Sequence, residues 1–179
     1  MKLKSILFDK IAIERAIKRI SHEIVEKNTN VSEICIIGIK TRGVPLAQRI
    51  AAYISANENV HLPIGVLDIT LYRDDLSMVN GDDAIVNASE INFDTTGKVV
   101  VLIDDVIYTG RTTRAALDAL RSYGRPKRIQ LAVLVDRGHR ELPIRPDFVG
   151  KNIPTSISEI IRVNLSETDG LDSIELYKS

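Results

Sequence analysis

Two adjacent carboxylates, Asp104 and Asp105, close the apolar run Val100-Val101-Leu102-Ile103. The stretch Val106-Ile107-Tyr108-Thr109-Gly110-Arg111-Thr112 then leads into a helical pattern. Each part has a chemical use. Gly110 lets backbone N–H groups approach an anion, Thr109 and Thr112 add hydroxyl donors, and a helix N-terminus contributes the positive end of its dipole. That cradle suits a phosphate. Asp104 and Asp105 would repel a phosphate, but they can accept hydrogen bonds from the vicinal hydroxyls of a ribose or contact a Mg²⁺ bound to it. A ribose 5-phosphate satisfies both halves. A solvated strand end with a Thr cap accounts for Thr112 and one Asp, but not for the whole arrangement.

A second constellation is Ile39-Lys40-Thr41-Arg42-Gly43, again at the end of an apolar run. Arg42 offers a planar fork for a diphosphate, and Gly43 permits close backbone approach before a helix begins. Arg73, in Leu71-Tyr72-Arg73-Asp74-Asp75, opens a long polar stretch and is a candidate to swing over that diphosphate.

Strands and helices must hold these loops. Continuous β-rich runs at 33–39, 66–72, 99–103 and 129–135 predict strands buried on both faces, hence a mainly parallel sheet. Helical patterns at 10–28, 44–56 and 112–123 alternate with them, and Gly124 and Pro126 terminate the last. The order predicts an α/β fold whose ligands sit beyond the carboxyl ends of the strands. Residues 73–98 lack sustained periodicity and read as a long flexible loop or a tolerated surface insertion. Nothing marks a linker or repeat, so residues 1–179 read as one domain.

Composition narrows the function classes. In 179 residues there is one cysteine, which excludes a disulfide framework and a Cys-based zinc site. His22 and His139 lack a third partner at metal-ligand spacing. No apolar run reaches membrane-spanning length, so no membrane is expected and the cytoplasm is the expected compartment. Lys plus Arg (24) balance Asp plus Glu (24). The balance is local, however: residues 1–60 and 99–151 are each basic by 10 to 6, and the intervening and final segments are acidic. A polarised surface is therefore expected.

The segment 100–112 resembles the phosphoribosyl pyrophosphate (PRPP) motif of type I phosphoribosyltransferases, and Lys40–Gly43 resembles their pyrophosphate loop. Beyond those motifs the chain closely resembles the family of pyrimidine operon attenuation regulators with uracil phosphoribosyltransferase activity. The resemblance runs through Asp68-Ile69-Thr70-Leu71-Tyr72-Arg73-Asp74-Asp75-Leu76, Leu134-Val135-Asp136-Arg137-Gly138-His139-Arg140-Glu141-Leu142-Pro143 and Gly150-Lys151-Asn152-Ile153-Pro154-Thr155-Ser156. It implies the type I phosphoribosyltransferase fold, with a small C-terminal hood over the nucleobase. It also implies uracil + PRPP → UMP + pyrophosphate, with Mg²⁺ carried by PRPP near Asp104 and Asp105 and no metal held by the protein alone. PRPP or UMP would meet Thr41, Arg42, Asp104, Asp105, Val106, Ile107, Tyr108, Thr109, Gly110, Arg111, Thr112, Arg137 and Val163. Arg42, Asp104, Asp105 and Arg73 would serve catalysis. Several purine members of the superfamily carry a carboxylate where Tyr108 stands. A phenol is a poor general base near neutral pH, so turnover is expected to lean on leaving-group stabilisation.

The regulatory half of the resemblance implies an RNA partner, the leader mRNA of a pyrimidine operon, and a homodimer or larger homo-oligomer. The first helix offers a surface independently. At about 100° per residue, Ile13, Ala16, Ile17, Ile20 and Ile24 share one face, and Arg15, Lys18, Arg19 and His22 lie opposite. Lys27, at the end of the helix, is a further candidate for RNA contact. Arg140, Arg145 and Lys151 form a second group around His139. Such side chains suit phosphates and looped-out bases. The alternatives are a uracil salvage enzyme with an ordinary charged face, or a transferase for purines or orotate.

Overall fold

The computed structural model describes residues 1–72 and 89–178. Twelve elements follow in order: β1 (Lys2–Phe8), α1 (Lys10–Lys27), β2 (Ile34–Ile39), α2 (Gly43–Glu58), β3 (Ile64–Leu67), β4 (Val99–Ile107), α3 (Arg111–Leu120), β5 (Arg128–Asp136), β6 (Phe148–Asn152), β7 (Glu159–Asn164), α4 (Ser166–Asp169) and β8 (Ser173–Lys178). Strands β3-β2-β4-β5-β6 form a parallel sheet, and β1-β8-β7 a smaller antiparallel one.

The period-2 alternation of strands divides the core. Ile34, Ile36, Val99, Val101 and Ile103 face α1 and α2, while Cys35, Ile37, Val100 and Leu102 face α3. Helices cover both faces, which is why these strands read as unbroken apolar runs. Cys35 is fully buried, and desolvation pushes its thiol up to about 11, so it is packing and not a nucleophile. α1 is capped by the Asp9 carboxylate, which accepts from the Ala12 N–H at 2.8 Å, and it buries the expected stripe Ile13-Ala16-Ile17-Ile20-Ile24.

Several boundaries differ from the sequence reading for local reasons. The strand expected over 66–72 is Ile64–Leu67, because the Asp68 carboxylate accepts from the Thr70 N–H and hydroxyl and bends the chain. The strand expected to stop at Ile103 continues to Ile107, since β5 runs alongside and pairs Asp104 with Val133 and Ile107 with Asp136. The third helix begins at Arg111 and tightens into a 3₁₀ turn over Arg121–Tyr123. The end of the 73–98 stretch is ordered: Glu90 bridges to Val66, and Ile91 and Thr95 are buried. The hood exists, but it is not purely C-terminal. β1 supplies one of its edges, and Leu165, Val163 and Ile174 root it in the α1–α2 core.

Candidate active site and basic surface

The carboxyl ends of β2, β4 and β5 converge with the hood around two cavities. The first, about 360 Å³, is lined by Asp104, Val106 to Thr113 and Glu141. The second, about 210 Å³, is lined by Arg42, Asp105, Ile160 to Val163, Tyr177 and Met1. Successive side chains of a strand point in opposite directions. Asp104 therefore faces the first cavity and Asp105 the second, and the acidic pair stands on the partition between them. A larger hollow of about 660 Å³ lies along the β1 edge, at Met1 to Lys4 and Lys178, and shares none of the motif residues.

The loop read as a phosphate cradle walls the first cavity. Gly110 takes φ +94°, a conformation that favours glycine, and stands at the N-cap of α3. The Arg111 N–H points back toward the Thr109 hydroxyl, and Thr112 lies in the first turn. Arg111 also carries an ion pair to Glu141, Nε to Oε2 at 2.8 Å.

Asp104 is buried, and its Oδ1 accepts from the Asp105 N–H at 2.9 Å. Burial pushes the Asp105 carboxyl above its ordinary range, against a hydrogen bond to Asp104 and the Arg42 charge that pull it down. Among the described residues no group of three or more His, Cys, Asp or Glu side chains could cage a metal. Two adjacent carboxylates fit the other habit of Mg²⁺, which keeps its waters and substrate phosphates and takes only one or two protein oxygens.

The Lys40–Gly43 loop bolts onto the sheet. A Cβ at Gly43 would lie 2.3 Å from the Ile103 carbonyl oxygen, and one at Gly38 would lie 2.6 Å from that of Gly43. Thr41 is exposed, and the Lys40–Thr41 peptide is cis. Arg42 is held through Nε and Nη2 by the carboxylate of Asp169. Two turns further along α2, Arg49 grips Glu167 and Asp172, so α2 clasps the hood at two points. The acidic C-terminal block had signalled charge there, but only the fold shows its partners.

Arg137 lines neither cavity. It is buried, donates to the Thr155 hydroxyl and the Ser156 and Glu159 carbonyls, and stacks 4.2 Å over the Tyr108 ring. Val163 is buried in β7 and lines the second cavity. Arg73 lies outside the described residues.

The two basic groups meet. Arg19 donates to the Val149 and Gly150 carbonyls, and Lys27 pairs with Asp147, so the polar face of α1 abuts the strand carrying Lys151. Lys18, Arg145 and Lys151 are exposed. His22 is exposed too and bonds the Tyr53 hydroxyl at 2.9 Å. Arg140 is committed inward, to Asp136 and to the carbonyls of Tyr108, Gly138 and Ile144.

A phosphoribosyl transferase domain profile matches residues 5–168. The bifunctional protein PyrR of Brevibacillus brevis is 58% identical over 173 residues, covering 97% of this chain and 96% of its own. The Thermus thermophilus protein of the same name is 57% identical over 178 residues, covering 99% and 98%. The chain belongs to the PyrR family of phosphoribosyltransferases. A hypoxanthine phosphoribosyltransferase structure from Staphylococcus aureus superimposes with a TM-score of 0.71 at 21% identity, over 97% of this chain and 92% of that one, which places the family's fold. Among the described residues no helix is long and apolar enough to cross a membrane.

Proposed function

We propose that the two cavities divide one nucleotide between them, and that the acidic pair on their partition is the observation that carries this reading. The 5-phosphate of PRPP or UMP sits in the Tyr108–Thr112 cradle. The ribose hydroxyls reach Asp104 and Asp105, and the diphosphate meets Thr41 and Arg42. Uracil lies under the hood, where backbone groups of Ile161 to Val163 read its edge. As a PyrR-family protein the chain is a uracil phosphoribosyltransferase and a UMP-responsive regulator of pyrimidine operon expression by transcriptional attenuation.

Loss of pyrophosphate leaves an oxocarbenium-like ribose. The nearby carboxylates suit that positive charge, while Arg42 stabilises the departing diphosphate and the hood excludes water. Mg²⁺ carried by PRPP would supply charge neutralisation to the same leaving group, with Asp104 and Asp105 the residues that would contact it. The regulatory partner is the leader mRNA of a pyrimidine operon, met by Lys18, Arg19, His22, Lys27, Arg145 and Lys151, with Arg140 behind them. The protein works in the cytoplasm as a homodimer or larger homo-oligomer.

Incubation with PRPP, Mg²⁺ and each nucleobase tests the enzymatic half, with UMP formation from uracil expected and none of the purine nucleotides. Filter binding of leader RNA with and without UMP tests the other half. Binding no tighter than to scrambled RNA would leave a salvage enzyme.

A further inference from the structure

Glu141 is out of place in a phosphate site. Its carboxylate lines the same cavity as the Gly110 cradle, where it repels the phosphate that the cradle is built to hold. It also occupies the guanidinium of Arg111, the cation on that wall. A structural ion pair would be of little use here. Both side chains are about half exposed, at 41% and 52%, and exposed pairs contribute little to stability. Weakness of that kind makes the pair exchangeable.

The backbone around Glu141 shows what an exchange would move. The N–H groups of Glu141 and Leu142 both donate to the Thr109 carbonyl, at 3.0 and 3.1 Å. Arg140 Nη1 donates to the Tyr108 carbonyl at 2.9 Å. The segment that bears Glu141 is therefore fastened to the bend that would cradle the phosphate, and four residues later it carries the exposed Arg145 of the basic surface.

We propose that Glu141 is a displaceable carboxylate, holding Arg111 until a nucleotide 5-phosphate takes its place, and so couples occupancy of the cavity to the basic surface through residues 140–145. The proposal rests on the reading of the first cavity as the phosphate subsite. The ligand class is a nucleoside 5-monophosphate, with the phosphate and not the base throwing the switch.

The test uses the full chain with Glu141→Gln and Glu141→Ala. Calorimetry measures UMP and uridine binding, and filter binding measures leader RNA with and without UMP. Both variants should bind UMP about two- to five-fold tighter, the range set by losing one exposed ion-pair competitor, with uridine unchanged. Their RNA affinity without UMP should rise toward the UMP-bound wild-type value, shrinking the enhancement by UMP, as reciprocal linkage requires. UMP affinity unchanged or weakened, or uridine tightened equally, overturns the proposal. So does an enhancement by UMP as large in the variants as in the wild type. Failure of the broader reading looks different: wild-type protein would itself bind UMP no better than uridine.

Discussion

Arg42 and Asp169 meet through two hydrogen bonds, Nε to Oδ2 at 3.1 Å and Nη2 to Oδ1 at 2.8 Å. The pair joins the residue before α2 to the last residue of α4, and it holds the Asp169 carboxyl below its usual range. The side-on grip orients the guanidinium plane while its Nη1 edge has no partner among the described residues. Asp169→Asn should therefore raise the KM for PRPP about three- to ten-fold with kcat nearly unchanged, and Asp169→Glu should restore part of it. Steady-state kinetics decide. A lower KM would instead make Asp169 a competitor of the diphosphate.

Asp105 should trade stability for function. Its folded pKa is raised, so its contribution is favourable below the unfolded value and is lost as pH rises through the folded one. Burial disfavours the ionised form that the unfolded chain adopts freely at neutral pH. Asp105→Asn should melt a few degrees higher at pH 7 to 8, the gain vanishing below about pH 4, while transferase activity falls at least about a hundred-fold. Melting curves across pH, run beside the assay, check both halves.

The second clasp titrates in the opposite direction. Glu167 is lowered chiefly by its hydrogen bond to Arg49, and Asp172 is lowered by the same arginine despite burial. Their stabilisation is present above the unfolded pKa values and lost as pH falls through the folded ones. Arg49→Met should cost about 1–3 kcal/mol at pH 7 and flatten the acid limb of the stability profile. Denaturant titrations at pH 7 and pH 3 would show it.

Basic residues of the proposed RNA surface should separate by commitment. Lys18→Ala and Lys151→Ala should weaken RNA binding and reduce the salt slope by about one each, leaving the melting temperature alone. Arg140→Ala, which breaks bonds to Asp136 and three carbonyls, should lower thermal stability as well. Equal melting temperatures for all three variants would contradict that division.

Tyr108 tests the absence of a phenolic base. Its ring lies under Arg137, and its hydroxyl makes no hydrogen bond among the described residues. Tyr108→Phe keeps the stack and should retain kcat within about three-fold, whereas Tyr108→Ala should not. Loss of turnover in the Phe variant with intact PRPP binding would restore the phenol as a catalyst.

Much of this was legible in the residues. The parallel sheet followed from apolar runs too continuous for a one-sided strand, and the glycine bend at the start of α3 from Thr109-Gly110-Arg111-Thr112 beside an acidic pair. The hood strands β7 and β8 and the edge strand β6 of the parallel sheet were not legible. They are short and half-exposed, and their apolar positions do not outnumber their polar ones. Nor could Asp169 and Glu141 be singled out, because each matters through an arginine far away in the chain, 127 residues for Asp169 and 30 for Glu141. Asp104 and Asp105 were recognised as a pair, but their division between two cavities needed β4 to run on to Ile107.

The contacts at Gly38 and Gly43 give the site a direction of compliance. Where backbone lies on backbone with no side chain between, there is no rotamer to change and no gap to close, so that wall behaves as an anvil. Substrate can be pressed against it but cannot push it back. Movement falls instead to the walls tied through side chains, the 166–172 turn and the 140–145 segment. Strain from a bound ligand should therefore reach those two segments before it reaches the sheet.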